Sequence, residues 1–128
     1  MTTQDYSKRE RELMRQYMES HNIKSFQFSP DDSFEQWDGK MVDGKTKIIF
    51  EVKVRNIPSY KYSTTIIDEA KYNFLIDYTK DTDVQPFIFI FFSDGKVLKK
   101  NLKVVARKTL RTKAPVMTSE DKGEKLKD

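Results

Sequence analysis

The sequence predicts an α/β protein in which a mixed central β-sheet is flanked by helices. Residues 47–54 alternate strictly between two faces, which is typical of a β-strand. Residues 87–92 form a continuous apolar run, which suits a strand that is covered on both faces. Two further segments carry apolar residues at helical spacing. With 128 residues, the chain is long enough to bury one core of ordinary size.

The first half of the chain is predicted to form one helix and three strands. The helix begins at Ser7, which can form a capping box with Glu10. The second and third strands are joined by a hairpin turn at Asp43 and Gly44. The apolar stripe of the helix consists of Leu13, Met14, Tyr17 and Met18, and the strands cover residues 23–28, 34–42 and 47–54.

The second half is predicted to form one more helix and two more strands, so that the order of elements is αβββαββ. Candidate N-caps of this second helix are Ser63, Thr64 and Thr65. A tight turn follows the apolar strand, and the final strand covers residues 97–105. The inward stripe of the second helix is predicted from Ile67, Ala70, Lys71, Phe74, Leu75 and Tyr78, with Lys71 as its one charged member.

The composition limits the kinds of site that the chain can carry. There are no cysteines, which excludes disulfides and zinc bound by cysteine. His21 is the only histidine, so clusters of histidine ligands are excluded as well. It is expected to be a capping or dipole partner at the end of the first helix. The net charge of +4 is compatible with a polyanionic partner.

One domain is expected over residues 1–112, followed by a polar tail at residues 113–128 that we expect to be mobile. No apolar run approaches the roughly 18 residues that span a bilayer, and the N-terminus is polar. We therefore expect a cytoplasmic protein in a reducing compartment, with no membrane partner and no small-molecule cofactor.

The third predicted strand carries two opposite charges on one face. Glu51 and Lys53 are two residues apart, so their side chains point to the same side as that of Ile49. Burying such a pair is unfavourable unless something pairs with it. A further acid, Asp38, lies 13 residues before Glu51 on a short segment flanked by aromatic residues. This arrangement favours a metal-dependent phosphodiesterase.

These residues and the order of elements resemble the PD-(D/E)xK, or restriction-endonuclease-like, nuclease superfamily. The resemblance implies that Asp38 and Glu51 bind Mg²⁺ or Mn²⁺ and that Lys53 is the lysine of the motif. The carbonyl oxygen of Val52 is a further candidate ligand, because hard cations prefer oxygen. Trp37 stands where the family's nominal motif has proline.

Two helical residues are further candidates through the same resemblance. The segment Ser7-x-x-Glu10-Arg11 resembles the first helix of archaeal-type Holliday junction resolvases, whose helical glutamate joins the active site. The capping box also explains Glu10 without any chemistry. Lys71 matches a lysine or glutamine that reaches the active site in parts of the family. A lysine that extends past its apolar neighbours to solvent is the structural alternative.

The central residues have simpler interpretations too. Glu51 and Lys53 would be ordinary surface residues if their strand were the solvated edge of the sheet. Asp38 and Gly39 form a dipeptide that is common in turns. The loop after the third strand carries residues that can contact phosphates and stack on bases, or that belong to an ordinary exposed loop. These loop residues are Arg55, Tyr60, Lys61 and Tyr62.

The predicted function is that of a Mg²⁺- or Mn²⁺-dependent DNA endonuclease that hydrolyses phosphodiester bonds. Small nucleases of this type often act as homodimers, and the resolvase-like first helix makes branched DNA a candidate substrate. Two alternatives remain open at this point. One is a nucleic-acid-binding module without catalytic activity, and the other is a structural or assembly protein that retained the fold.

Overall fold

A computed structural model describes residues 3–30, 37–61, 64–66, 69–104, 116–118 and 124–125. It contains a mixed six-stranded β-sheet with one long helix on each face, so the predicted α/β architecture is confirmed. The helices are α1 (Thr3–Ser20) and α2 (Glu69–Thr79). The strands are β1 (Ser25–Phe28), β2 (Gly39–Asp43), β3 (Thr46–Arg55), β4 (Thr64–Ile66), β5 (Gln85–Phe92), β6 (Lys96–Asn101), β7 (Val116–Thr118) and β8 (Glu124–Lys125).

The large sheet has the strand order β1-β2-β3-β5-β6-β8. Strands β3 and β5 are parallel, and each of the other neighbouring pairs in this sheet is antiparallel. A parallel pair requires a crossover connection, which here contains β4 and α2. The short strands β4 and β7 form a separate antiparallel pair. Strand β3 therefore lies inside the sheet, with β2 on one side and β5 on the other, and it is not an edge strand.

The alternation of β3 divides its side chains between two apolar cores. Ile48, Phe50 and Val52 belong to the core beneath α1, whereas Ile49 belongs to the core beneath α2. Glu51 follows Ile49 on the α2 side of the sheet. The α1 core also contains Met14, Tyr17, Met18, Ile23, Met41, Phe89, Phe91 and Val97. The α2 core also contains Leu75, Ile88, Ile90, Phe92, Leu98 and Leu102.

Helix α1 begins at Thr3, four residues before the predicted N-cap. Ser7 therefore lies inside the helix, and the predicted capping box of Ser7 and Glu10 is wrong. The four residues from Thr3 onward include neither glycine nor proline, so no helix breaker stops the helix from starting earlier. Glu10 consequently has no capping role to explain its presence.

The C-terminal end of α1 is closed by a Schellman motif. Asn22 adopts a left-handed conformation with φ of 57°. The N–H of Ile23 donates a 2.9 Å hydrogen bond to the carbonyl of Met18. His21 stacks on Tyr17 with 4.1 Å between the ring centroids, and its Nδ1 lies 2.8 Å from the Tyr17 carbonyl oxygen. The expected capping role of His21 is confirmed.

Helix α2 begins at Glu69, and the described residues before it, Thr64–Ile66, form strand β4. Thr64 and Thr65 lie in β4, where they pair with β7, so their predicted role as N-caps is wrong. The pairing with a strand from a distant part of the chain overrides the local capping preference. Ser63 and Ile67 lie outside the described residues.

The buried side of α2 overlaps only in part with the stripe that periodicity predicts, which includes Leu75 and Lys71 but also Phe74 and Tyr78. Leu75 and Thr79 are fully buried, and the hydroxyl of Thr79 donates a 2.7 Å hydrogen bond to the carbonyl of Leu75. That bond satisfies the hydroxyl and makes its burial tolerable. Phe74 and Tyr78 are 38% and 52% exposed, so their predicted place in the core is wrong. Apolar residues occur around most of this helix, and only packing decides which of them face the sheet.

Strand β2 begins at Gly39, where the backbone is tightly enclosed. A Cβ atom at this position would overlap the ring of Phe50 and lie 2.7 Å from the carbonyl oxygen of Gln27. Glycine is therefore required for β1, β2 and β3 to approach one another here. Residues 34–36 of the predicted second strand lie outside the described residues.

Two turns shape the remainder of the sheet. The predicted hairpin between β2 and β3 is present, but its turn lies one residue later, at Gly44 and Lys45, because Asp43 still pairs with Thr46; Gly44 has φ of 61°. The last predicted strand is shorter than expected, because β6 ends at Asn101 and a 3₁₀ turn over Leu102–Val104 follows. The side chain of Asn101 accepts a 2.9 Å hydrogen bond from the Lys103 N–H, which fixes this turn.

Two short strands, β7 and β8, lie within the predicted tail at residues 113–128. The other residues of the tail lie outside the described part of the chain, and its mobility remains a prediction. Neither of the two described helices is long and apolar enough to cross a membrane.

Candidate active site

Asp38 is held by two hydrogen bonds to β3 and by a third to Ser29, just after β1. Its N–H donates to the carbonyl of Phe50 at 2.9 Å, and its carbonyl accepts the N–H of Ser29 at 2.8 Å. Its side-chain Oδ2 accepts the backbone N–H of Val52 at 2.7 Å. Asp38 thus extends the pairing of β2 with β3 by one residue, and its carboxylate replaces a backbone carbonyl as the partner of Val52. Its side chain is fixed against the strand that carries Glu51.

Glu51 is buried in the middle of the sheet and is only 4% exposed. Its Oε1 lies 3.8 Å from Nζ of Lys53, and its Oε2 lies 3.5 Å from Nζ of Lys71. Both contacts are ion pairs at distances too long for strong hydrogen bonds. Oε2 of Glu51 is one of two buried side-chain polar atoms in the described residues that have no hydrogen-bond partner. Glu51 therefore does not belong to a solvated outer face.

The two lysines reach Glu51 from different elements. Lys53 is on the same face of β3, and 40% of its side chain is exposed. Lys71 comes from α2, and its ammonium group points toward the sheet rather than away from it. The structure thus brings Lys71 to Glu51, although the two residues are far apart in the sequence. Lysine side chains from two elements therefore place positive charge beside a buried carboxylate.

The pKa of Glu51 is raised from its ordinary value to about 7. Burial is the largest cause, because the charged carboxylate loses its hydration. The negative charge of Asp38 raises the pKa further, and the positive charges of Lys71 and Lys53 lower it. Near neutral pH, Glu51 is therefore poised between a neutral and a charged form. A cation placed between Asp38 and Glu51 would favour the charged form.

Glu10 approaches the same group of charges from α1. Its side chain is half-buried, and its pKa is raised mainly by burial and then by the charge of Asp38. Lys53 and Arg55 act in the opposite direction. Glu12, two residues later, is exposed and forms a 3.1 Å ion pair with Arg15. Of these two helical glutamates, Glu10 is the one that is half-buried beside the charges of Asp38 and Lys53.

The donor set fits a hard divalent cation that keeps part of its water shell. Within the described residues, no three side chains of His, Cys, Asp or Glu are grouped closely enough to hold a metal. Asp38 and Glu51 supply two carboxylates, and the carbonyl of Val52 would supply a third oxygen. Mg²⁺ is bound in this way in many sites, through one or two carboxylates and several waters. Oε2 of Glu51 makes no hydrogen bond, and its long ion pair with Lys71 leaves it able to bind such an ion.

The loop after β3 is fixed against the turn between β5 and β6. Asp94 accepts hydrogen bonds from the hydroxyl and the N–H of Ser59, at 2.7 and 3.2 Å. Burial raises the pKa of Asp94, but these bonds and one from the Lys96 N–H outweigh it and lower the pKa. Tyr60 is 80% exposed at the tip of the loop, followed by exposed Lys61.

Of the four predicted nucleic-acid contacts, Arg55 is the last residue of β3, and its charge acts on Glu10. Tyr60 and Lys61 project from the anchored loop, and Tyr62 lies outside the described residues. The anchoring pair, Ser59 and Asp94, was not predicted. Serine and aspartate in two separate turns carry no local signal that they will meet.

An aromatic group beside the carboxylates also escaped prediction. Trp37 lies with its ring centroid 4.7 Å from that of Tyr78 and 6.5 Å from that of Phe74. The helical pattern predicts that these two residues of α2 lie in the core, so it does not predict their contact with Trp37. Their position four residues apart on one helix was the available signal that they share a face.

No protein-family profile and no curated protein matches the chain. The structure is nevertheless similar to that of Hjc, a Holliday junction resolvase from the archaeal hyperthermophile Archaeoglobus fulgidus. The TM-score is 0.66, the similarity covers 90% of each chain, and 9% of the residues are identical. The chain therefore has a restriction-endonuclease-like fold, and the predicted resemblance is confirmed at the level of the fold.

Proposed function

We propose that this protein is a Mg²⁺- or Mn²⁺-dependent endonuclease that hydrolyses phosphodiester bonds in DNA. The observation that carries the proposal is the buried carboxylate of Glu51, whose Oε2 has no hydrogen-bond partner and which lies between two lysines. Burying an acid whose pKa is raised to about 7 costs stability, and such groups are concentrated at functional sites. The fold shared with a junction resolvase supports the same conclusion.

Asp38, Glu51 and the carbonyl of Val52 would hold the divalent ion. When bound, such an ion lowers the pKa of a coordinated water and polarises the phosphoryl oxygens. Asp38 is preorganised for this role, because its hydrogen bond from Val52 fixes one oxygen and orients the other. Oε2 of Glu51 makes no hydrogen bond, so a bound cation would compete for this oxygen with the 3.5 Å ion pair to Lys71.

The lysines and Glu10 would complete the site. Lys53 is partly exposed, so its ammonium group can contact the phosphate and offset the negative charge that develops during attack by water. Lys71 stabilises the charged form of Glu51 that binds a cation. Glu10 contributes negative charge next to Asp38, where a water molecule would be positioned for attack.

We further propose branched DNA as a substrate, and a homodimer as the active form. The structural neighbour is a Holliday junction resolvase, and this is the basis for the choice of substrate. Resolving a junction requires one cut in each of two strands, and one chain has a single group of these carboxylates. Two copies would supply the second centre. The net charge of +4 is compatible with a DNA partner.

The test is a cleavage assay on a four-way junction, a duplex and a single strand, each with Mg²⁺, Mn²⁺ or a chelator. Wild-type protein should cleave at least one of these substrates, and it should do so only when a divalent ion is present. Glu51→Gln should reduce the rate about 100-fold or more, because it keeps the volume and removes the ligand charge. Glu12→Gln, which changes an exposed glutamate, is the matched control and should cleave normally.

The other outcomes decide between the alternatives. Undiminished cleavage by Glu51→Gln would contradict the assigned centre. Salt-sensitive DNA binding without cleavage in either metal would indicate a catalytically silent binding module. Neither binding nor cleavage would indicate a structural or assembly protein. Light scattering during size-exclusion chromatography, with and without the junction, would test the homodimer.

A further inference from the structure

Three aromatic side chains form a surface patch beside the carboxylates, which we call the aromatic patch: Trp37, Phe74 and Tyr78. The rings of Phe74 and Tyr78 are nearly parallel, with 15° between their planes and 6.0 Å between their centroids. Trp37 is tilted against both of them. Phe74 and Tyr78 present 38% and 52% of their surface to solvent. Clustered and exposed aromatic rings are typical of surfaces that bind a ligand or another macromolecule.

Packing explains only one member of the aromatic patch. Trp37 is partly buried against the α2 core, which holds its ring in place. Phe74 and Tyr78 belong to neither core, whereas Leu75, Tyr72 and Ile76 pack α2 against the sheet. Both rings therefore keep a large part of their surface in solvent on a helix that other residues already anchor.

The aromatic patch is continuous with the candidate active site. Trp37 directly precedes Asp38, whose carboxylate is fixed against β3. Phe74 is three residues after Lys71 on α2, so the two side chains lie on adjacent turns of one face. Lys71 in turn lies 3.5 Å from Glu51. A phosphate held beside this site by the lysines would have its attached nucleosides next to these rings.

We propose that the aromatic patch binds an unpaired nucleobase of the DNA substrate, next to the phosphodiester that is cleaved. This rests on the proposed function in one respect, namely that the ligand is DNA. Every base has a flat π-face, so stacking on aromatic rings is strong and tolerant of sequence. Lys71 and Lys53 supply positive charge for the adjoining phosphate. The patch would select DNA in which a base is unstacked, as at a branch point or a single-stranded end.

The test measures binding without cleavage, in a chelator. Trp37 is the only tryptophan in the chain, so its fluorescence reports directly on the patch. A short oligothymidylate should quench this fluorescence, whereas an abasic oligonucleotide of the same length and charge should not. The abasic strand should also bind about tenfold more weakly, which corresponds to the loss of one stacked base. A blunt duplex, whose bases are already stacked, should leave the fluorescence unchanged.

Variants separate stacking from other contacts. Tyr78→Ala should weaken binding of a labelled oligothymidylate about tenfold, measured by anisotropy, without changing affinity for the abasic strand. Tyr78→Phe should bind like wild type, because the ring is kept and only the hydroxyl is lost. Val104→Ala shortens another exposed apolar side chain, and it is the control that should have no effect. Circular dichroism verifies that each variant is folded.

Two results would overturn the proposal. One is equal affinity for oligothymidylate and the abasic strand, and the other is unchanged affinity in folded Tyr78→Ala. Sedimentation tests a further explanation. If Tyr78→Ala no longer forms a dimer but binds DNA as tightly as wild type, the patch is a contact between copies of the chain instead. Failure of the nuclease proposal is a separate result. It would appear as absence of metal-dependent cleavage, even where base-dependent binding is found.

Discussion

The backbone N–H of Val52 donates a 2.7 Å hydrogen bond to Oδ2 of Asp38. Strand β2 pairs with β3 only as far as Gly39 and Phe50, so a side chain provides the next acceptor along β3. One carboxylate therefore both completes the pairing of a buried strand and faces Glu51. These two roles of Asp38 can be separated by substitution.

Asp38→Ala should destabilise the protein by about 1–3 kcal/mol, because the Val52 N–H loses its acceptor. Asp38→Asn keeps an acceptor oxygen and should lose less stability than Asp38→Ala. It nevertheless removes the ligand charge and should abolish metal-dependent cleavage. Urea denaturation and cleavage rates measure the two effects. Asp43→Asn, at the exposed end of β2, is the matched control and should be silent in both. If Asp38→Ala unfolds like wild type, the hydrogen bond does not stabilise the fold.

Metal-free protein should lose stability as the pH rises, because of Glu51. Its pKa is raised from 4.5 to about 7, so the folded state binds the proton more tightly than the unfolded state. The stabilisation is complete below the unfolded pKa and is lost as the pH rises through the folded pKa. The shift corresponds to a change on the order of 3 kcal/mol in the free energy of unfolding.

Glu51→Gln cannot titrate, so its stability relative to wild type should increase between about pH 5 and about pH 8 in chelator. Urea denaturation at several pH values measures this difference, and the contributions of other titrating groups cancel between the two proteins. A difference that does not change with pH would mean that the folded pKa of Glu51 is ordinary.

Lys71→Met should make divalent-ion binding harder at neutral pH. Loss of the ammonium group 3.5 Å from Oε2 removes a charge that lowers the pKa of Glu51. The pH midpoint for Mn²⁺ binding should rise by about one unit, and cleavage should recover at higher pH. Titration of Mn²⁺, followed by Trp37 fluorescence, gives this midpoint. Lys80→Met, on an exposed residue just after α2, should leave it unchanged.

Glu10→Gln should reduce cleavage about tenfold, because negative charge near Asp38 assists the binding of a cation and of its waters. Glu12→Gln should keep the wild-type rate, since it removes only an exposed ion pair with Arg15. Both variants should stay within about 0.5 kcal/mol of wild-type stability, because Ser7 lies inside the helix and no capping box is lost. Equal rates for the two variants would remove Glu10 from the site.

Gly39→Ala should destabilise the protein by about 1–3 kcal/mol and reduce cleavage as well. The added methyl group would collide with the Phe50 ring and the Gln27 carbonyl, and it would displace the neighbouring Asp38. Gly44→Asn is the control. Its Cβ meets open space, and asparagine tolerates the left-handed conformation there, so the loss should be under about 1 kcal/mol. Comparable stability of both variants to wild type would show that the strands near Gly39 can separate without penalty.

The sequence by itself determined the features that depend on residues close to one another along the chain. The alternation of β3 places Glu51 and Lys53 on one face wherever that strand packs, because successive side chains of a strand point in opposite directions. The apolar run of β5 predicted burial on both faces, and the turn at Gly44 predicted the hairpin. Asp38 could be proposed as a partner of Glu51 only through the resemblance to known nucleases.

The tertiary structure alone decided which residues meet across the fold. Helix α2 carries apolar residues around most of its surface, so its own pattern could not show that Leu75 is buried while Tyr78 is exposed. The approach of Lys71 to Glu51 results from the packing of this crossover helix beside the parallel strands β3 and β5. Local periodicity specifies the direction of a side chain within its element, but the partner that it meets depends on how distant elements pack.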